Sequence, residues 1–119
     1  MPFAHNQCSY CSSDMRITRL TCGECGLSHG GDFHTPRLYR LDAGDQRFIE
    51  LFVLASGSLK RMAELLDVSY PTVRNRLDKL IGKLENEKQQ DDKRKQIILE
   101  DIETGRIPVK QGMRMIDAI

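Results

Sequence analysis

Two cysteine pairs, CSYC at residues 8–11 and CGEC at residues 22–25, stand ten residues apart near the start of the chain. A two-residue spacer lets both sulfurs of a pair turn onto one ion, and Gly26 after the second pair permits the turn that aims amide N–H groups at sulfur. Cys8, Cys11, Cys22 and Cys25 together supply four thiolates, enough for one closed tetrahedral zinc site. Four thiolates also suit iron, so the metal stays open between the two. A segment of about 40 residues buries too little surface to fold without a staple, so the expected role of the metal is structural. A redox C-x-x-C needs a βαβ setting that the surrounding residues lack. A catalytic zinc keeps an open position and mixes in His or carboxylate ligands, which four cysteines argue against. His5, His29 and His34 are expected on the surface or in loops, with one of them as an alternative ligand.

Residues 1–40 hold every Cys, every His and four of the nine Gly, with no helical periodicity. MRITRL (residues 15–20) and PRLYR (residues 36–40) read as short strands between turn residues. The gap between the cysteine pairs suits a hairpin with MRITRL as one strand. This segment resembles a zinc ribbon.

Beyond residue 40 the pattern becomes helical. In DQRFIELFVLASG, Asp45 is the expected N-cap and Gly57 the expected stop. Phe48, Leu51, Phe52 and Ala55 make one stripe, widened by Ile49, Val53 and Leu54, so burial over most of this helix is expected. Ser58 caps a second helix whose inner face is Leu59, Met62, Ala63 and Leu66. Val68 is expected to plug the turn. Ser69 caps a third helix, with Pro71 in its first turn. Val73, Leu77, Leu80, Ile81 and Leu84 recur there at three and four. The small Ala63 lets the second and third helices approach closely, as in a helix-turn-helix.

The run Ala63, Leu66, Val68, Ser69, Thr72-Val73, Leu77, Leu80, Ile81, Leu84 resembles the helix-turn-helix of sigma-factor region 4 and of LuxR-type response regulators. Asp67 departs from it, since many such motifs have Gly there; a left-handed backbone is tolerable for Asp. Over nearly the whole chain, the four-cysteine segment, Leu41-Asp42 followed by Gln46, and SYPTVRNRLDKLI resemble a prokaryotic family of unknown function. Its members join a zinc ribbon to a sigma-region-4-like helix-turn-helix and, in some, to a short C-terminal helical hairpin. The resemblance implies a transcriptional regulator and no established activity.

In a helix-turn-helix the start of the second motif helix enters the major groove. Arg74 and Asn75 are the expected base readers, since Arg suits guanine and Asn adenine. Tyr70, Thr72, Arg76 and Lys79 suit phosphate contacts. The chain as a whole carries a net charge of only +1. Four cations on this helix, each on one phosphate, would give a salt slope of about −3.6. Binding to double-stranded DNA therefore favours a homodimer or a DNA-bound partner. The alternative is a protein-interaction factor that meets RNA polymerase or a sigma factor without DNA of its own.

ENEKQQDDKRKQ (residues 85–96) has no apolar residue and reads as a solvated helix extension or linker. Asp91-Asp92 lies in it, with no burial expected to make an acid or base. After it, Ile97, Ile98 and Ile102 make one helical face, Gly105 a stop, Pro108 a start, and Val109, Met113, Ile116 and Ile119 a second face. Two helices this short cannot bury both faces between themselves, so they are expected to dock on the central domain, on a partner or, the favoured case, on a second copy. No nucleophile elbow, P-loop, Gly-rich dinucleotide loop or H-E-x-x-H is present, so no enzyme is expected. No run of about 18 apolar residues and no signal-peptide pattern is present, so a cytoplasmic protein is expected. The fold class expected is mainly α with a small N-terminal β zinc ribbon, a three-helix helix-turn-helix core and a C-terminal helical hairpin. The expected divisions are 1–40, 41–90 and 91–119.

Overall fold

A computed structural model describes residues 7–119; His5 lies outside them. The protein is mostly helical, with one two-stranded antiparallel sheet near its N-terminus. It divides into two compact units, Met1–Lys83 and Leu84–Ile119.

Strand β1 (Arg19–Thr21) pairs with β2 (Ser28–Gly30), Thr21 opposite Ser28 and Arg19 opposite Gly30. The second cysteine pair is thus the turn of the hairpin. The partner of β1 is not in the gap between the pairs, as expected, because the compact C-x-x-C turn itself reverses the chain. PRLYR is not a strand either. Arg37–Arg40 forms a 3-10 turn, with Tyr39 N–H donating to Pro36 C=O at 2.9 Å and Leu41 N–H to Leu38 C=O at 3.2 Å. Pro36 offers no N–H to a sheet, and its fixed φ suits the residue before a helical turn.

Helix α1 (Ala43–Leu54) starts three residues earlier than the sequence suggests. Its N-cap is Asp42, whose Oδ1 accepts the Asp45 N–H at 2.8 Å. The Gln46 amide donates back to the Leu41 carbonyl at 2.8 Å. Leu41 itself is buried. The Leu41-Asp42…Gln46 pattern is therefore a capping device. The helix stops at successive positive φ values at Ser56 and Gly57, with Gly57 N–H donating to Phe52 C=O. Phe48 and Ala55 are buried, but Val53 and Leu54 are 68% and 75% exposed. The expectation of near-complete burial fails because so small a unit has too few elements to surround a helix.

Ser58 caps α2 (Leu59–Leu66) by accepting the Arg61 N–H at 3.1 Å. Met62 and Ala63 are its buried residues. The turn closes with Asp67 in the left-handed region, φ 54 and ψ 48. Val68 N–H donates to Ala63 C=O, closing the helix end. Leu66 and Val68 are partly exposed at this turn, so Val68 does not plug it; the backbone bonds do the closing. Ser69 caps the next helix, its Oγ accepting the Thr72 N–H at 3.3 Å.

Helix α3 runs Tyr70–Glu103 and takes in the whole polar stretch of residues 85–96. That stretch holds no Gly, Pro or β-branched residue and is mostly Glu, Lys, Gln and Arg, all good helix formers. Val73 and Leu80 are its buried positions in the first unit. Asp91 is buried, contrary to expectation, with the Arg94 guanidinium 3.5 Å away.

Within the second unit, Gly105 ends α3 with φ 75, and Pro108 precedes α4 (Val109–Asp117). Gly112 is the buried residue of α4, and a Cβ there would collide with the Ile102 side chain. Ile116 and Ile119 are partly buried, while Val109 is 63% exposed and Met113 half exposed. The inner stripe of α4 is thus rotated from the one expected.

Candidate nucleic-acid interface and cysteine knuckles

The two cysteine pairs form the same hydrogen-bonded turn. Cys8 N–H donates to Ser13 C=O at 2.8 Å, and Ser12 N–H to Cys8 C=O at 2.9 Å. Cys22 N–H donates to Leu27 C=O at 2.7 Å, and Gly26 N–H to Cys22 C=O at 3.0 Å. The residue after each pair has positive φ, 60 at Ser12 and 76 at Gly26. Gly26 was legible as the turn residue; Ser12 in the equivalent place was not, because serine seldom takes that conformation. Each turn is clamped by backbone pairing, Gln7 with Asp14 at the first and Thr21 with Ser28 at the second. The Thr21 and Ser28 hydroxyls add a 2.9 Å hydrogen bond.

N–H groups point at sulfur as the spacing implies: Tyr10 N–H lies 3.4 Å from Cys8 Sγ. The Ser13 hydroxyl lowers the Cys11 thiol from its ordinary value, and the Cys25 and Glu24 N–H groups lower Cys22. All four cysteines are free thiols. Among the described residues, no three His, Cys, Asp or Glu side chains are gathered at metal-binding spacing, so the structure forms the pairs and not the quartet. The donor set and the two matched turns fit a four-thiolate ion, and holding it takes closure of one turn on the other. His29 lies on β2 and His34 is exposed.

The six candidate DNA contacts fall on the first three turns of α3, and all are exposed. They are not equivalent. Arg74 pairs with Asp78 one turn on, at 3.4 Å, with both side chains about half exposed. Such a pair contributes well under 1 kcal/mol and is easily exchanged for another anion. Asn75 and Lys79 have no side-chain hydrogen bond or ion pair among the described residues. Thr72 Oγ1 shares a 2.7 Å hydrogen bond with Ser69 Oγ at the cap. Tyr70 opens the helix.

Arg76 does something else. Its Nη2 donates to the Gly44 carbonyl at 3.2 Å, and its guanidinium lies 4.9 Å from the centre of the Phe48 ring. Lys83, counted among the four cations of this helix but not among the six DNA contacts, donates to Asp45 Oδ2 at 2.7 Å and stands 3.8 Å from Asp42 Oδ2. The Asp45 carboxylate raises the Lys83 ammonium above its ordinary value. The Asp45 N–H and then Lys83 hold the Asp42 carboxyl below its own. A signal was present: Arg76 and Lys83 are seven residues apart, hence on one stripe.

A family model described as "Domain of unknown function (DUF2089)-HTH" matches residues 41–87. The match takes in the Asp42 cap, α1, α2 and the first half of α3, and supports an uncharacterised domain with a helix-turn-helix. No curated protein and no solved structure matches the chain. Among the described residues, no helix is long and apolar enough to cross a membrane.

Proposed function

We propose that the protein is a non-enzymatic, cytoplasmic transcriptional regulator that binds double-stranded DNA through the start of α3. In this reading Arg74 and Asn75 meet base edges, while Tyr70, Thr72 and Lys79 meet phosphates. The observation that carries it is the exposed Arg74-Asn75-Lys79 set, two of whose side chains are uncommitted, following a capped helix-turn-helix turn. The helix-turn-helix match over the same residues supports it. One zinc ion, held by Cys8, Cys11, Cys22 and Cys25, staples the N-terminal ribbon and takes no part in chemistry.

Charge favours a second reading. Residues 41–87 carry seven Lys and Arg against eight Asp and Glu. A unit with so little net attraction for phosphate binds weakly as one copy. A homodimer supplies two such helices and resolves the conflict. The alternative is a protein that meets RNA polymerase or a sigma factor, for which Val53 and Leu54 at the end of α1 offer exposed apolar contacts.

The test is fluorescence anisotropy of zinc-loaded protein on duplex DNA pools at low and moderate salt. Binding that weakens with salt and is lost in the Arg74→Ala, Asn75→Ala variant is the expected result. Equal binding by that variant, or none at low salt, sends the assignment to the protein partner.

A further inference from the structure

We propose that Arg76 and Lys83 are positioning residues, which bolt α3 to the first turns of α1 and so set the angle at which Arg74 and Asn75 are presented. They do not themselves meet phosphates. The inference rests on the DNA-binding reading above and names how that site is held.

The geometry has three parts. First, both side chains reach the same short segment. Arg76 takes the Gly44 carbonyl and the Phe48 ring, and Lys83 takes Asp45 and Asp42. Second, the two anchors are seven residues apart, about 10.5 Å along the axis, and only about 20° apart around it. Val73 and Leu80 seat α3 in the core, where apolar contacts allow rocking; two polar anchors on one line restrict both its angle and its sliding position against α1. Third, the segment is shaped to receive them. Asp42 serves twice, capping α1 through the Asp45 N–H and facing Lys83. At Gly44 a Cβ would stand 3.3 Å from Asp42 Oδ1, a tight approach, so the missing side chain leaves the capping carboxylate room; Arg76 Nη2, at 3.6 Å, would be in ordinary contact.

Energetically each anchor is modest, because the Lys83 side chain is 51% exposed. The effect is on orientation. Arg74 and Asn75 must meet base edges within hydrogen-bond tolerance, and a helix that rocks spends only part of its time in register.

The test compares Lys83→Met, Arg76→Met and the charge swap Asp45→Lys with Lys83→Glu, each on a duplex the wild type prefers. Both lone variants are expected to weaken preferred-site binding by up to about fivefold. The slope of log K against log salt is expected to stay at its wild-type value, and the swap to recover most of the lost affinity. A phosphate ligand behaves oppositely: its loss flattens the slope by about 0.9, and Lys83→Glu makes binding worse even with Asp45→Lys beside it. Either of those results overturns the proposal. A second readout needs no DNA: residual dipolar couplings of the free protein give the angle between α1 and α3. That angle is expected to change or broaden in Lys83→Met and to return in the swap; an unchanged angle overturns the proposal. Should no variant and no wild type bind duplex, the DNA reading falls while the angle measurement still decides the anchoring.

Discussion

Replacing Gly112 by alanine sets two effects of opposite sign against each other. Gly112 lies inside α4, and in a helix interior alanine is favoured over glycine by about 1 kcal/mol. Gly112 is also buried, and a Cβ there would collide with the Ile102 side chain and stand 3.3 Å from Ile107 Cδ1. Forcing a methyl into such a contact costs about 1–3 kcal/mol, since α4 must lift or Ile102 must leave its rotamer. At the middle of that range the packing cost is the larger, so Gly112→Ala is expected to destabilise the second unit by about 1 kcal/mol, and by about 2 kcal/mol at the top of it. Gly82 is the matched control. It too is helical, in α3, but a Cβ there meets nothing within 4 Å. Gly82→Ala is therefore expected to stabilise by up to about 1 kcal/mol. Amide hydrogen exchange of the full chain reads both. Protection in residues 97–117 should fall about fivefold or more in Gly112→Ala, and protection around residue 82 should rise in Gly82→Ala. If Gly112→Ala raises protection in α4 as Gly82→Ala does in α3, propensity alone governs both sites and the close packing of Gly112 on Ile102 is wrong.

The other predictions concern caps, titration and metal. Ser58→Ala and Ser69→Ala are each expected to cost about 1 kcal/mol in thermal unfolding, since each removes the acceptor for an N–H of the helix it starts. Asp42 has a lowered folded value, so its stabilising contribution is present above the ordinary carboxylate value near pH 4 and disappears as pH falls through the lower folded one. Lys83 has a raised folded value, so its contribution is present below about pH 10 and is lost as pH rises beyond that. Carboxyl carbon NMR titration of Asp42 should show an acid-shifted midpoint that moves back up in Lys83→Met; no movement refutes the pairing. Zinc titration is expected to saturate at one ion per chain, protect four thiols from alkylation and order residues 7–35. Chelation should then reverse this while the far-ultraviolet helical signal stays. Loss of that signal on chelation would show that the metal supports the helices as well.

Where a signal is local, the sequence carried it. Ser58, Ser69, Gly57, Gly105 and Pro108 act at the helix ends they mark, because caps and stops are decided by the few residues around them. The left-handed Asp67 and the C-x-x-C turns are local in the same sense. The cap of α1 is a local signal too, but a misplaced one: Asp45 is the expected cap, and the cap is Asp42, where the Gln46 amide also ties down the Leu41 carbonyl. Where the outcome depends on a partner in space, the sequence misled. Val109 and Met113 fit an apolar stripe, but the stripe of α4 is set by where a helix with no side chain at position 112 can approach Ile102. Three-residue β2 has no alternation to detect. At the candidate interface, a sequence shows Arg74, Arg76, Lys79 and Lys83 as four like cations. Only the fold separates Arg76 and Lys83, committed to α1, from Arg74 and Lys79.

The proposed DNA-reading surface is the outer side of the first turns of α3. Amide chemical-shift mapping of zinc-loaded, labelled protein with a duplex selected from a pool tests it most directly. Shifts are expected to concentrate at residues 70–79, strongest at Arg74 and Asn75, with the Arg74 guanidinium changing partner from Asp78. Shifts centred instead on Val53 and Leu54 or on the cysteine turns, with residues 70–79 undisturbed, would contradict it.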